Sequence, residues 1–237
     1  MTETSYSGFG DKAQPFLKAL GFHQNREWFH DNKDLFEKHL NEPRGRLIDD
    51  LAARLADAKI PLTCARKTST FRINRDVRFA KAKHPYNTHV SAVVTRSGTK
   101  KDQGLLYFHV SPDDSFLSVG FYAMESDELR PFREAIVARR SQFDAALEPL
   151  LDMGFVFDQD NALKRTPRGF EQITDPETVA LLRLRHLTLS RKFASDRLKG
   201  TALLEDLVEL AEAAQPFLSF GWRVIDPVRA ARDESNR

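Results

Sequence analysis

The sequence predicts an α+β fold, with a mostly antiparallel sheet of about 5–7 strands packed against helices from both ends of the chain. Apolar residues recur at helical spacing near both ends of the 237-residue chain. Runs of alternating, β-branched and aromatic residues lie between them, and short turn signals separate these runs. Strands joined by short turns pair antiparallel, so βαβ units are not expected.

Three helices are predicted in the first third of the chain. Asp11 caps the first, which ends at Gly21, and Asn25 caps the second. Pro43 begins the third as a first-turn residue, and that helix ends before Ile60. The apolar stripe of the third helix consists of Leu47, Ile48, Leu51, Leu55 and Ala58.

Four strands are predicted in the middle of the chain, over residues 70–79, 88–96, 105–111 and 115–122. A Lys/His/Pro loop, the sequence SGTKKDQG and the sequence PDD separate them, and all three are turn signals. The second and third runs are rich in Val, Tyr and Phe, as half-buried strands are.

Helices dominate the second half. Ser126 caps a helix that continues or restarts at Ser141 and ends at Gly154. A hairpin over 155–165, a short helix from Asp175, a strand over 186–193 and a last helix over about 201–214 follow. We expect one domain over residues 1–226, with a sub-layer from about residue 155 as an alternative, and a charged flexible tail over 227–237.

Charge is unevenly distributed along the chain. Ten Lys and Arg residues lie between Arg66 and Lys101 with one acid, Asp76, which gives this segment a net charge of +9. Because the whole chain carries +2, the rest carries 2 − 9 = −7. A mildly acidic body with one basic segment predicts an anionic partner and says nothing about the fold.

Two geometries are open for residues 70–79, which have the sequence TFRINRDVRF. In a regular strand, Arg75 shares a face with Phe71, Ile73, Val77 and Phe79, where it needs a carboxylate, a carbonyl or a bound anion. A turn or bulge at residues 74–76 would instead release Arg75. The three arginines Arg72, Arg75 and Arg78 could then gather around one point.

The residues after this segment add to a predicted anion site. Lys83 supplies a point charge and Tyr86 a hydroxyl donor, while the arginine forks match phosphate or carboxylate oxygens. The predicted ligand-binding residues are therefore Arg72, Arg75, Arg78, Lys83 and Tyr86.

Proton-transfer candidates lie close by. Asp76 would orient an arginine or act as a general base, and His84, His89 and His109 are candidate acids or bases. His89 and His109 fall on strands that are predicted to be neighbours, so His84, His89 and His109 could converge.

The signature Arg72-x-x-Arg75-Asp76-x-Arg78-Phe79, followed by Lys83-x-x-Tyr86, resembles that of an uncharacterised, mostly bacterial family, the domain of unknown function 2461. The sequences NREWF from Asn25 and LKRTPRGF from Leu163 are also similar to that family. One position departs from it, because Ala82 stands where the family usually has Asp or Asn. The resemblance implies no activity, and Ala82 argues against a chemistry that needs this acid.

Several site classes lack support in the sequence. The single cysteine, Cys64, excludes an internal disulfide and fits a reducing cytoplasm, where we expect the protein. The sequence has no HExxH motif and no Cys/His cluster, so no metal is expected. It also has no glycine-rich nucleotide loop, so no cofactor is expected. No apolar run approaches the roughly 20 residues that cross a bilayer, and no membrane partner is expected.

Three functions remain open at this point. The first is a pocket for a small molecule that carries phosphate or carboxylate groups, with or without catalysis. The second is a nucleic-acid-binding module, in which Phe71, Phe79, Tyr86, Tyr107 and Phe108 would offer stacking surfaces beside the basic residues. The third is a scaffold whose arginines pair internally with acids such as Glu27 or Asp31. Neither a reaction nor an oligomeric state follows from the sequence.

Overall fold

The computed structural model describes residues 5–76, 78 and 84–235. The chain forms two compact units. The first unit comprises Met1–Asp102, Leu106–Leu117 and Lys192–Glu212, and the second comprises Gln103–Leu105, Ser118–Arg191 and Ala213–Arg237. A single domain over residues 1–226 stays a prediction.

The α+β prediction is confirmed, with helices from both ends of the chain flanking one antiparallel five-stranded sheet. The strands are β1 Val90–Val94, β2 Leu105–Val110, β3 Phe116–Phe121, β4 Val156–Phe157 and β5 Leu187–Lys192. The strand order is β1-β2-β3-β5-β4. β1 is buried along its whole length, whereas β2 alternates between buried and half-buried residues and so presents one face outward.

The helices are α1 Ala13–Phe22, α2 Arg26–Asp31, α3 Lys33–Phe36, α4 Glu42–Asp57, α5 Arg66–Ser69, α6 Ser126–Ala138, α7 Arg140–Asp152, α8 Pro176–Arg183, α9 Ala202–Ala213 and α10 Gln215–Ser235. A π-helical turn, Glu37–Asn41, joins α3 to α4, and a 3₁₀ turn, Ser195–Leu198, precedes α9. No helix in the described part of the chain is both long and apolar enough to cross a bilayer.

The predicted helix ends are partly confirmed. The side chain of Asn25 accepts a hydrogen bond from the Trp28 amide at 2.8 Å, and Asp175 caps α8 in the same way through Thr178. The prediction for Asp11 is wrong, because Lys12 precedes α1 without a side-chain cap. Gly21 does not end α1, which continues to Phe22.

Two parts of the second half differ from what the local sequence pattern indicates. β4 does not form a local hairpin but pairs with β5, placing Phe157 opposite Leu189. Here the carboxylate of Asp158 accepts the Thr188 hydroxyl at 2.6 Å and so ties the strand end to β5. Residues 227–235 continue α10 as a helix, although the sequence predicts a flexible tail from Pro227.

Candidate functional site

Residues 70–76, which follow α5, are extended but do not form a regular strand. Thr70 and Asn74 form isolated bridges with Ala92 and Tyr86, and no continuous ladder joins them. The regular-strand geometry, which directs Arg75 toward an apolar face, is therefore wrong. Arg75 is exposed, while its amide donates to the Pro85 carbonyl at 2.8 Å.

Without a ladder, the alternation of faces is lost at residues 74–76. Asn74, Arg75 and Asp76 are all exposed, and Ile73 is the buried residue of this stretch. The alternative geometry, in which Arg75 is released from the apolar face, matches this arrangement.

Asp76 pairs with Arg78 at the end of the segment. Nη2 of Arg78 lies 2.7 Å from Oδ2 of Asp76, and both side chains are exposed. The hydrogen bonds from Arg78 lower the pKa of Asp76, so the carboxylate is held in its charged form. This contact gives Asp76 an arginine to orient, and its use as a general base stays a prediction.

Arg72 and Arg75 differ from Arg78. Within the described residues, neither guanidinium forms an ion pair or a hydrogen bond, and neither contacts Glu27 or Asp31. Burial, Arg72 and Arg44 together lower the pKa of the Lys100 ammonium. Of the expected internal network of arginines, the described residues show the pair of Asp76 and Arg78.

Of the two remaining predicted ligand residues, Tyr86 is described by the structure and Lys83 is not. Tyr86 is buried and stacks on Phe29, with ring centroids 4.4 Å apart. Lys83 lies outside the described residues, as does Ala82. The predicted roles of Lys83 and Tyr86 as ligand donors stay predictions.

Arg44, which the sequence analysis did not select, is the buried cation of this region. Its side chain lies in α4 with 6% exposure. Nη1 donates to the Phe71 carbonyl at 2.7 Å, and Nη2 donates to Oδ1 of Asn41 at 2.6 Å. Nε is buried and has no hydrogen-bond partner among the residues that the structure describes. No carboxylate in the described residues forms an ion pair with it.

Burial lowers the pKa of Arg44 to about 10, against the opposing effect of Glu37. The guanidinium therefore remains charged at neutral pH. The Glu37 carboxylate reaches it only through Asn41, whose Nδ2 donates to Glu37 at 2.7 Å.

Arg44 lines a cavity of about 250 Å³, which we call the Arg44 cavity. Its lining residues are Asn41, Glu42, Arg44, Gly45, Arg66, Lys67 and Thr70. All of them belong to the first unit. Two further cations belong to this region, because Arg44 and Arg72 both lower the pKa of Lys100.

Gly45 shapes one wall of the Arg44 cavity. A Cβ atom at this position would lie 2.7 Å from Nη1 of Arg66, so only glycine lets that guanidinium lie against α4. Arg66 is held there by Asp49, 2.6 Å from its Nε, and by Glu42, 3.4 Å from its Nη1. The acids of this wall are therefore engaged by Arg66 and do not neutralise Arg44.

The predicted convergence of His89 and His109 is present. Their rings stack with centroids 4.1 Å apart, and Phe116 stacks on the other side of His109 at 4.8 Å. The Tyr107 hydroxyl lies 3.0 Å from Nδ1 of His109 and shares a hydrogen bond with it. His84 is exposed and makes no described contact with this group.

Burial and the neighbouring His89 lower the pKa of His109 to about 4, although Asp114 acts in the opposite direction. Burial also lowers the pKa of His89. Both rings are therefore neutral at pH 7, which favours stacking over mutual repulsion. The described residues contain no group of three or more metal-ligating side chains.

A signal for Arg44 is present in the sequence. Residues 44, 47, 48, 51 and 55 recur at helical spacing, so Arg44 lies on the apolar stripe of the third predicted helix. A cation on an apolar stripe requires an explanation. The same requirement was considered for Arg75, where the strand is not regular, and Arg44 was missed.

One family model matches the chain. The family described as Conserved hypothetical protein (DUF2461) matches residues 12–220, which is well over half of the chain. Neither a curated protein nor a solved structure matches significantly.

Proposed function

The chain belongs to the family of conserved hypothetical proteins DUF2461, and from that premise we propose that it binds a small anionic molecule at the Arg44 cavity. The ligand carries phosphate or carboxylate groups. Arg44 and Lys67 supply positive charge from the cavity lining, to which Thr70 and Asn41 also belong. Arg72 and Lys100 add positive charge from outside the lining.

The observation that carries this proposal is the buried guanidinium of Arg44. Its two hydrogen bonds end on a carbonyl and an amide oxygen, and its Nε has none. A buried charge without a counter-charge costs several kcal/mol. An anion in the adjoining cavity would offset that cost, and this gives a reason for the cation to be there.

Two other arginines of the same unit have guanidinium groups that are paired with carboxylates. Arg197 binds both carboxylate oxygens of Asp206, at 2.5 and 2.8 Å. Arg66 binds Asp49 and Glu42. Such pairing is the usual structural use of arginine, and Arg44 lacks it.

Charge near the cavity also favours a ligand with more than one negative charge. Arg72 and Arg44 both depress the pKa of Lys100, so these cations are close enough to repel one another. A multiply charged anion relieves several such repulsions at once. We therefore expect diphosphate and citrate to bind more tightly than acetate.

The nucleic-acid alternative receives less support from the rings. Phe108 and Tyr86 are buried, and Tyr86 already stacks on Phe29. Base stacking requires open ring faces. Of the five aromatic residues considered from the sequence, Phe71 is 37% exposed and contacts Tyr107 edge to face, while Phe79 lies outside the described residues.

Thermal unfolding with orthophosphate, diphosphate, citrate and acetate at constant ionic strength tests the proposal, followed by calorimetric titration of the best anion. We expect the midpoint to rise with diphosphate, by an amount set by the ligand concentration relative to Kd. Lys67→Met should weaken binding about tenfold, since one charged contact contributes roughly 1.5–3 kcal/mol. Lys164→Met, an exposed lysine of the second unit, is the matched control.

Gly45→Ala tests the cavity without removing a charge. The added methyl group displaces the Arg66 guanidinium, which lies 2.7 Å away, and so alters the cavity wall. Binding should weaken while the protein remains folded, because the end of a flexible side chain can move. Absence of any anion effect on the unmodified protein, or equal binding by Lys67→Met and Lys164→Met, would refute the proposal.

A further inference from the structure

A second cavity, of about 480 Å³, lies beside α1 in the first unit and contains none of the Arg44 cavity residues. We call it the α1 cavity. It is lined by Leu17, Lys18, Gly21, Phe22, Thr88, His109, Ser111, Pro112, Asp113 and Asp114. Its volume is within the range of small-molecule sites, roughly 300–1,000 Å³.

The wall formed by residues 111–114 is held in place by α1. Nε2 of Gln14 donates to the carbonyls of Ser111 and Pro112, at 3.1 and 3.2 Å. The Asp114 amide donates to the Ser111 hydroxyl at 3.0 Å. These bonds fix the loop against the helix, so the cavity has two ordered walls.

Two opposite charges line the α1 cavity without an ion pair. Lys18, from α1, and Asp113, from the loop, have no charged partner among the residues that the structure describes. Asp114 differs, because Nζ of Lys192 lies 2.7 Å from its carboxylate. The cavity thus offers one unmatched cation and one unmatched carboxylate.

His109 adds a hydrogen-bonding group of fixed orientation. Its ring is held between His89 and Phe116, and its Nδ1 is occupied by Tyr107. A phenol is a stronger acid than a neutral imidazole, so we assign the Tyr107 hydroxyl as the donor and the ring proton to Nε2. Nε2–H is then available to donate to an oxygen of a ligand.

The third feature of the α1 cavity is its apolar surface. Leu17 is fully buried, whereas Phe22 is 79% exposed. A phenylalanine that exposes most of its ring beside a cavity offers apolar surface that a ligand could cover.

We propose that the α1 cavity binds a small zwitterion of the amino-acid type with an apolar side chain. Asp113 takes the ammonium group, Lys18 and Nε2–H of His109 take the carboxylate, and Phe22 contacts the side chain. This site is independent of the Arg44 cavity and of the function proposed for it.

Calorimetric titration with leucine and two analogues tests the zwitterion. Leucinamide lacks the carboxylate, and 4-methylpentanoate lacks the amine. We expect leucine to bind and each analogue to bind at least about tenfold more weakly, because each loses one charged contact. Equal affinity for all three compounds, or no binding of leucine, would overturn the proposal.

Variants locate the site. Asp113→Asn and Lys18→Met should each weaken leucine binding about tenfold, whereas Asp57→Asn, an exposed acid in α4, should not change it. Gly21→Leu should block the cavity and keep the fold, because a Cβ at position 21 meets only Thr88, at 3.6 Å. Leucine binding that survives Gly21→Leu would place the ligand elsewhere.

The two proposed sites can fail separately. Arg44→Met should abolish diphosphate binding and leave leucine binding unchanged. Loss of both on that substitution, with the protein still folded, would contradict the independence of the α1 cavity.

Discussion

Two buried charged side chains in helices, one in each compact unit, are accommodated differently. In the second unit, Glu128 of α6 is fully buried, and Nε of Arg229 lies 2.7 Å from its carboxylate. In the first unit, Arg44 of α4 is 6% exposed and has no carboxylate partner among the described residues.

The difference separates a charge that is paired within the fold from one that has no carboxylate partner among the described residues. Glu128 also accepts the Glu125 amide at 2.9 Å and completes a capping box at the start of α6. Every contact of Glu128 therefore serves the fold. Arg44 retains an unsatisfied Nε beside a cavity, so its placement is explained by the fold only in part.

Removing the charge of Glu128 should have the largest effect on stability. Glu128→Gln leaves Arg229 beside a neutral amide and weakens the capping box, and we expect a loss of about 3 kcal/mol in the free energy of unfolding. Urea denaturation measures it. Glu134→Gln, on the exposed face of the same helix, is the control and should change little. A loss below about 1 kcal/mol for Glu128→Gln would mean that the pair is not structural.

His109 is a third ionisable group that the fold partly buries, and it is neutral at pH 7. A change of pH tests this. Its folded pKa of about 4 lies below the unfolded value of 6.5, so its contribution to stability is complete above pH 6.5 and is lost as the pH falls toward 4. We expect the unmodified protein to lose about 1–2 kcal/mol between pH 7 and pH 5 relative to His109→Gln.

Two neighbouring groups, His89 and Asp114, also affect the pKa of His109. His89, which also has a lowered pKa, stacks on His109, and Asp114 favours the charged ring. Asp114→Asn should therefore enlarge the acid sensitivity. Parallel stability curves for the unmodified protein and His109→Gln would show that His109 does not remain neutral in the folded state.

Arg44→Met should change stability by no more than about 1 kcal/mol without a ligand. The two lost hydrogen bonds cost about 1 kcal/mol each, and removal of the unpaired buried charge offsets that loss. Diphosphate should no longer raise the unfolding midpoint of this variant. If Arg44→Met is as damaging as Glu128→Gln and the unmodified protein ignores every anion, then Arg44 is structural, and the two units do not differ as described.

The smallest effect is expected at the exposed pair of Asp76 and Arg78. Both side chains are more than half exposed, so water competes for the same charges. Asp76→Asn should leave the unfolding midpoint unchanged within experimental error. A clear fall in the midpoint would indicate that Asp76 has a structural role in addition to this pair.

The sequence predicted those parts of the fold that local rules determine. The cap at Asn25, the helix start at Asp175 and the buried positions 47, 48, 51 and 55 of α4 follow from short-range patterns and are confirmed, whereas Ala58 is exposed. The partner of β4 could not be predicted in this way, because the residues that pair with it lie about 30 positions further along the chain. Helical structure beyond Pro227 was also missed, since the contacts of Arg229 and Arg232 with α6 span still more of the chain, 101 and 105 positions.

The candidate site was predicted in its region but not in its central residue. The basic segment does border the Arg44 cavity through Arg66, Lys67 and Thr70. The predicted position of Arg75 on an apolar face required a continuous ladder over residues 70–79. Isolated bridges are present at Thr70 and Asn74 instead, and Arg75 is exposed. The convergence of His89 and His109 was predicted because they lie on neighbouring strands, and their stacking depends on side-chain packing that no spacing rule gives.

The ring stack around His109 also provides a spectroscopic reporter. Protons of a ring held between His89 and Phe116 experience the ring currents of both neighbours, so the His109 resonances should be displaced upfield in a proton NMR spectrum. Because the same ring lines the α1 cavity, occupation of that cavity should move these signals. The molecule thus carries its own unlabelled probe at the place where the second ligand is expected.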